Sequence, residues 1–254
     1  MLGKELIELH QSARQVRPFS ERYPGLTPQA GYTAAHELHA HRLAQGWKPA
    51  GRKIGFTNRT LWQRYGVHEP MWGMVYDRTL IHAKENLASV DLAGLVQPRI
   101  EPEIAFKLKR APRSAEELPD CLEWMAHSVE IVQCHHPDWK FTIADCTADN
   151  GLHGRLVIGT PLPPQDLHRL PRAQAKLFKA QRLVDTGVGT NVLGGPLLSL
   201  AHLVGLLRRQ PDAPALGAGE IITTGVLTDA HPVARGETWR TEVDGFPGLA
   251  IVFS

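Results

Sequence analysis

The rhythm of apolar and polar positions changes near residue 50. Before that point it is helical. Leu2, Leu6 and Leu9 recur at helix spacing, so residues 1 to about 16 read as an amphipathic helix closed by Arg17-Pro18. Thr27-Pro28 opens a second helix, with Thr27 as N-cap and Pro28 at the first helical position. Leu38 and Leu43 give this helix a narrow apolar face, and Gly46 ends it.

From Arg52 onward the runs shorten and the spacing becomes that of strands. Strand-like segments are 52–57, 74–76 and 79–81 around the turn residue Asp77, 98–106, 129–132, 156–158, a loose hairpin over 173–185, 220–224, 238–243 and 249–253. Pro102 inside 98–106 confines that strand to an edge or a bulge. Short helices are predicted at 60–65, from the loop at 111–120 through Met125, and at 196–207 after Gly194-Gly195. Helices followed by a run of strands predict an α+β fold. Length alone allows one or two domains, since 254 residues at ~150 per domain leaves both open. With no repeat and no sharp linker, we expect one domain over 1–254, with a helical segment at 1–50 and a β-rich core at 51–254.

Composition narrows the function classes. A hydrophobic fraction of 43% and a charged fraction of 21% exclude disorder as the main state. Lys+Arg 28 against Asp+Glu 26 leaves +2, with no clustered cations of the kind a nucleic-acid binder carries. No apolar run nears the ~20 residues that span a bilayer. Glu5 and Glu8 stand where a secretory leader needs apolar residues. Cys121, Cys134 and Cys146 form an odd set without framework spacing, so a reducing, cytoplasmic setting is expected. The glycines at 187 and 189 lack the third of a dinucleotide-binding fingerprint. The 13 histidines stand out without forming a pattern.

The sharpest chemical feature is Glu101-Pro102-Glu103. At i and i+2 on a strand both carboxylates project from one face, and they repel unless a cation or proton sits between them. Glu130, inside Val129-Glu130-Ile131-Val132, is the natural third member. An all-oxygen set of this kind suits Mg²⁺ or Mn²⁺. The alternative is a solvated strand face with Glu130 reaching out to water. Cys134-His135-His136 reads as a loop with ordinary histidines, because neighbours on an extended chain point to opposite faces. Lys53 lies in a small, apolar strand and is either a desolvated acid/base or an outward-facing lysine. Asp145, Asp149 and Asn150 form a polar run that reads as a capped turn. Thr223-Thr224-Gly225 is either an anion-binding turn or a plain one.

Taken together, GRKIGFTN (51–58), MWGMVYD (71–77), PRIEPEIAF (98–106), SVEIVQ (128–133), DWKFTIADCTADNGLHGRLVIG (138–159), VGTNVLGGPLLSLAHL (188–203) and IITTGVLTDAHPV (221–233) resemble the 2-keto-4-pentenoate hydratase and 4-oxalocrotonate decarboxylase group of the fumarylacetoacetate hydrolase superfamily. The resemblance implies a mixed sheet rolled into a partly open barrel. It implies Mg²⁺ or Mn²⁺ held by Glu101, Glu103 and Glu130, catalytic roles for Lys53 and Asp77, and a substrate pocket touched by Asn150 and Thr224. It further implies a homo-oligomer, association with a pathway enzyme, and a small 2-oxo or 2-hydroxydienoate acid as substrate. Ala34-Ala35-His36 departs from the glutamine that many relatives carry in this helix.

The activity expected is hydration of 2-hydroxypenta-2,4-dienoate or a close analogue to a 4-hydroxy-2-oxo acid in aromatic-compound catabolism. The alternatives are decarboxylation of an oxalocrotonate-type diacid and a non-catalytic, metal-stabilised subunit of a partner enzyme.

Overall fold

Thr27 caps the longest helix as its sequence demands. Its hydroxyl accepts the Ala30 N–H at 3.2 Å, and Pro28 fills the first helical position. The structure, a computed structural model, describes residues 2–210 and 212–254, without the side chains of Leu61 and Arg64. The first part of the chain is helical: α1 (Leu2–Ser12), α2 (Phe19–Arg22) and α3 (Pro28–Ala44). Leu6 and Leu9 of α1 and Phe19 of α2 bury against Ala34 of α3 and Ala148.

The strands and remaining helices follow in the order β1 (Pro49–Gly55), α4 (Trp62–Tyr65), β2 (Met71–Tyr76), β3 (Leu80–His82), β4 (Leu87–Val90), β5 (Arg99–Leu108), α5 (Leu118–Cys121), β6 (Leu122–Val132), α6 (Ile143–Ala148), β7 (His153–Ile158), β8 (Gln174–Lys179), β9 (Arg182–Val188), α7 (Pro196–Arg209), β10 (Ile221–Thr223), β11 (His231–Pro232), β12 (Thr238–Val243) and β13 (Leu249–Phe253). They form two sheets. The larger runs β2-β1-β10-β5-β6-β7-β3, with β11 joining β5, and the smaller runs β4-β13-β12-β8-β9. The larger sheet mixes parallel pairs (β1 with β10, β3 with β7) and antiparallel ones, and it curls into a half-barrel. This is the α+β architecture expected.

Period-two alternation sets the faces. Ile100, Val129, Ile131 and Val157 point out of the half-barrel and pack on Leu177, Trp239, Leu249 and Ile251 of the smaller sheet. Val75, Ala105, Ala126, Leu156 and Ile158 fill its inner face at one end, and the other end carries the acids. Helix α7 packs on the core with Leu200, Leu203, Leu206 and Leu207.

Three local expectations change. The predicted helix through Met125 is only the four residues of α5. From Leu122 the chain extends into β6, because Met125 and Ala126 bury equally well as strand partners of Phe106 and Ala105. The strand carrying Pro102 is central rather than an edge. Its β10 partner ends at Ala105, β11 starts at Ile100, and the Pro102 carbonyl faces the gap between them, where it accepts the Leu227 N–H at 2.9 Å. Backbone N and O of one strand residue point the same way, so the missing N–H falls where no ladder runs. Residues 189–209 also proved long and apolar enough for a membrane span by composition. Here the segment is a turn followed by a 14-residue core helix, and Gly194 and Gly195 break it before Pro196.

Gly51 is fixed by contact. A Cβ there would lie 1.8 Å from the Ile221 carbonyl oxygen of the paired strand. Gly51→Ala is therefore expected to cost more than ~3 kcal/mol in urea denaturation or to prevent folding. Gly94→Ala, at φ +77 with nothing near the new methyl, should cost only about 1–2 kcal/mol of backbone strain.

Candidate active site

The pairing of β5 with β6 assembles the acids. Glu101 stands directly opposite Glu130 in the antiparallel register, and Glu103 lies two residues further on the same face. Opposed residues on one face bring their Cβ atoms to ~5 Å. One carboxylate oxygen from each of the three lies within 4.8 Å of the others. The site is thus the product of one register, which a slip of a single residue would turn inside out.

Lys53 reaches this cluster from β1. It pairs in parallel with Thr223 of β10, which in turn pairs with Ala105 of β5. Its Nζ donates to Glu130 Oε2 at 2.8 Å, and both groups are buried. Gly151 leaves room for the lysine stem, since a Cβ there would stand 2.9 Å from Lys53 Cδ. Glu103 Oε2 accepts the Gly225 N–H at 2.7 Å and the Thr223 hydroxyl. Gly225 sits at φ +101, and a side chain there would strike Thr57. Among the described residues none hydrogen-bonds Glu103 Oε1, although it is buried.

The electrostatics follow from burial. Three carboxylates face the Lys53 ammonium, with the Arg99 guanidinium also acting on Glu101, so the cluster carries net negative charge when ionised. Desolvation pushes Glu101 up to about 7. Desolvation, reinforced by Glu130 and Glu101, holds Glu103 well above the carboxylate range. Burial alone would raise Glu130 too, but Lys53 and His153 outweigh it and hold it low. Burial works against the Lys53 ammonium, yet Glu130, Glu101 and Glu103 together hold its pKa above the ordinary lysine value. An orphaned buried oxygen, two acids held above their usual range and an all-oxygen donor set fit a hard divalent cation.

Glu101, Glu103 and Lys53 line one side of a pocket whose other walls are largely apolar, with Phe56, Tyr65, Trp139, Phe141, Val132 and Val226. Tyr65 stacks on Phe141 at 5.0 Å, and Arg99 lies over Trp139 at 4.1 Å. Phe56, Trp139 and Leu152 hold left-handed backbone conformations at φ 55, 57 and 62. Bulky residues there cost roughly 1–3 kcal/mol each, a strain that collects where geometry serves a site.

Several expected site residues are not brought to this pocket. Asp77 is exposed, and its Oδ1 accepts the Lys48 and Arg78 N–H groups, both at 2.9 Å, as a turn cap. Asn150 spends both ends of its amide on Met74, accepting from its N–H at 2.8 Å and donating to its carbonyl at 3.0 Å. The Thr224 hydroxyl donates to the Ile104 carbonyl at 2.7 Å, and it is Thr223 that turns to Glu103. His153 and the aromatic wall were not foreseen, and the turn Thr223-Thr224-Gly225, one of whose two readings is anion binding, holds Glu103 through Thr223 and Gly225. Alternation on β10 beside Lys53 is the one signal that could have singled out Thr223.

A second cluster, His10, His135 and Asp149, is also close enough for a metal. Arg42 argues against one. Its Nη2 lies 3.2 Å from His10 Nδ1 and can only donate, which leaves the ring hydrogen on Nε2, 2.9 Å from Asp149 Oδ1. His135 Nδ1 meets the other Asp149 oxygen at 2.8 Å. The two imidazoles thus flank the buried Asp149 carboxylate at ion-pair distance and tie α1 to the core.

No family model matches the chain. It is 31% identical over 256 residues to the 2-hydroxyhexa-2,4-dienoate hydratase of Comamonas testosteroni, covering 99% of this chain and 96% of that one. It is 32% identical over 217 residues to a 4-oxalocrotonate decarboxylase from a Pseudomonas species, covering 84% and 82%. Its fold matches the Pseudomonas putida G7 4-oxalocrotonate decarboxylase, solved with magnesium and adipate, at a TM-score of 0.92 and 24% identity over 100% of this chain and 96% of that one.

A raised folded-state acid destabilises the protein above its unfolded pKa, because the unfolded chain releases the proton more easily. Glu103→Gln should therefore raise the melting midpoint of the metal-free protein at pH 7.5, by about 2–4 °C for each kcal/mol of repulsion relieved. With saturating Mn²⁺ the order should reverse, wild type melting higher, as read by differential scanning fluorimetry.

Proposed function

Because the chain belongs to the 2-keto-4-pentenoate hydratase and 4-oxalocrotonate decarboxylase group of the fumarylacetoacetate hydrolase superfamily, a group of metal-dependent lyases, we propose that it hydrates 2-hydroxypenta-2,4-dienoate or a close analogue. The observation that carries this reading is the trio Glu101, Glu103 and Glu130, net negative when ionised, beside a largely apolar pocket that Glu101 and Glu103 line together with Lys53. We assign the three glutamates as ligands of Mg²⁺ or Mn²⁺ and Lys53 as the proton carrier.

When bound, the ion supplies a Lewis acid and a template for the substrate's C1 carboxylate and C2 oxygen. The chain's own residues do the rest. Glu103 is held in place by Gly225 and Thr223, and Glu130 by Lys53 and His153, so the ligands need little rearrangement. Lys53 grips its proton because the carboxylates around it are uncompensated. Once that charge is neutralised the grip weakens, and Nζ becomes a better acid toward the substrate's carbon chain. Ketonisation moves the enol proton's equivalent to the far carbon, and water then adds across the resulting double bond. The aromatic wall limits competing water around the conjugated chain.

The apolar wall of Phe56, Tyr65 and Phe141 suits an uncharged distal end, which favours hydration of a monoacid. Arg99, which also lines the pocket, supports the second reading, decarboxylation of a 2-oxo diacid, because its charge would attract a further carboxylate. Self-association is proposed on the exposed Leu87 and Val252, which share a face of the smaller sheet. A cytoplasmic location is proposed on the three free, buried cysteines.

The test is a panel of dienoates and oxo-diacids with Mg²⁺ or Mn²⁺, read for absorbance loss and CO₂ together. Loss of dienoate absorbance without CO₂ is the expected result, and stoichiometric CO₂ from the diacid would select the second reading. Lys53→Met should lower kcat by on the order of 10²–10⁴ while leaving Mn²⁺ binding in place.

A further inference from the structure

Glu130 has a hydrogen-bond partner on each oxygen. Lys53 takes Oε2, and His153 Nδ1 stands 2.9 Å from Oε1 with both side chains fully buried. By simple alternation His153 would not face inward, since Gly154 and Leu156 lie on the inner side. The β6–β7 register shifts by one residue between Ile131 and Val132, however, and sets His153 opposite Val132, which lines the pocket. A bulge of this sort re-aims a side chain by bending the strand locally.

The far side of the ring is equally constrained. His153 Nε2 lies 2.8 Å from the Thr79 hydroxyl. That hydroxyl also donates to the Tyr76 carbonyl at 3.1 Å, so the ring hydrogen is assigned from the other side: a carboxylate oxygen accepts, and Glu130 Oε1 therefore calls for a hydrogen on Nδ1. Thr79 holds the far nitrogen of the ring, and Nδ1 is aimed at Glu130. We propose that His153 is a positioning residue for Glu130, holding Oε1 so that Oε2 is presented to Lys53 and to the ion shared with Glu101 and Glu103. The proposal rests on the metal reading above.

The experiment compares two variants of the full-length protein. The amide nitrogen of His153→Asn falls where Nδ1 was and keeps the donor to Glu130. That of His153→Gln falls near Nε2, serving Thr79 and abandoning Glu130. Mn²⁺ binding is measured without substrate, by electron paramagnetic resonance or calorimetry, with thermal melts alongside. The expected result is a dissociation constant within about threefold of wild type for the Asn variant and roughly 10–100-fold weaker for Gln. Binding unchanged in both, or weakened equally in both, would overturn the positioning role while leaving the metal site standing. If wild type itself fails to bind Mn²⁺, the metal reading falls and this inference with it.

Discussion

The structure is organised around the repulsion of three carboxylates in a place with little water. Glu103 and Glu130 are fully buried, and Glu101 borders the pocket. Such a cluster costs too much to persist by accident, because each unpaired charge loses its hydration and gains a like neighbour. Everything near it works to offset that cost: the Lys53 ammonium, the Gly225 N–H, the Thr223 hydroxyl and the His153 ring. What these groups leave over is net negative charge in a buried place, which a hard cation would offset.

The fold makes this possible by separating two tasks. The outer face of β5, β6 and β7 is apolar and bonds the large sheet to the small one, which fixes the register. The inner face is then free to be chemically unfavourable. The walls above the acids come from less regular stretches, around Phe56, Trp139 and Leu152, which hold left-handed backbones, and the Phe56 and Trp139 rings lie against Phe141. Rigid floor and irregular wall are the division of labour by which a scaffold can keep its ligands while its pocket varies.

Much of this was legible from short-range pattern. Glu101 and Glu103 declare a shared face by their spacing, and Glu130 is conspicuous because a charge interrupts β-branched residues. Thr27-Pro28 announced its helix, and the strands of the C-terminal third fell close to where alternation put them. What remained hidden depends on pairing between distant segments. The adjacency of Asp77 to a strand end said nothing of its turning outward to cap Lys48 and Arg78. Thr224 and Thr223 are indistinguishable until β10 is laid between β1 and β5. His153 is invisible without the one-residue shift opposite Val132, and the apolar composition of 122–126 supports a helix or a strand equally well.

Pro102 has the widest consequence. Its ring cannot join a ladder, and beside it the neighbouring strand is interrupted between β10 and β11. The chain that would have filled that place leaves the sheet instead, and Gly225, Val226 and Ala230 from this detour line the pocket. A protein engineer who mended the break, giving β5 an unbroken partner and its full set of backbone bonds, would produce a better sheet with its doorway bricked up.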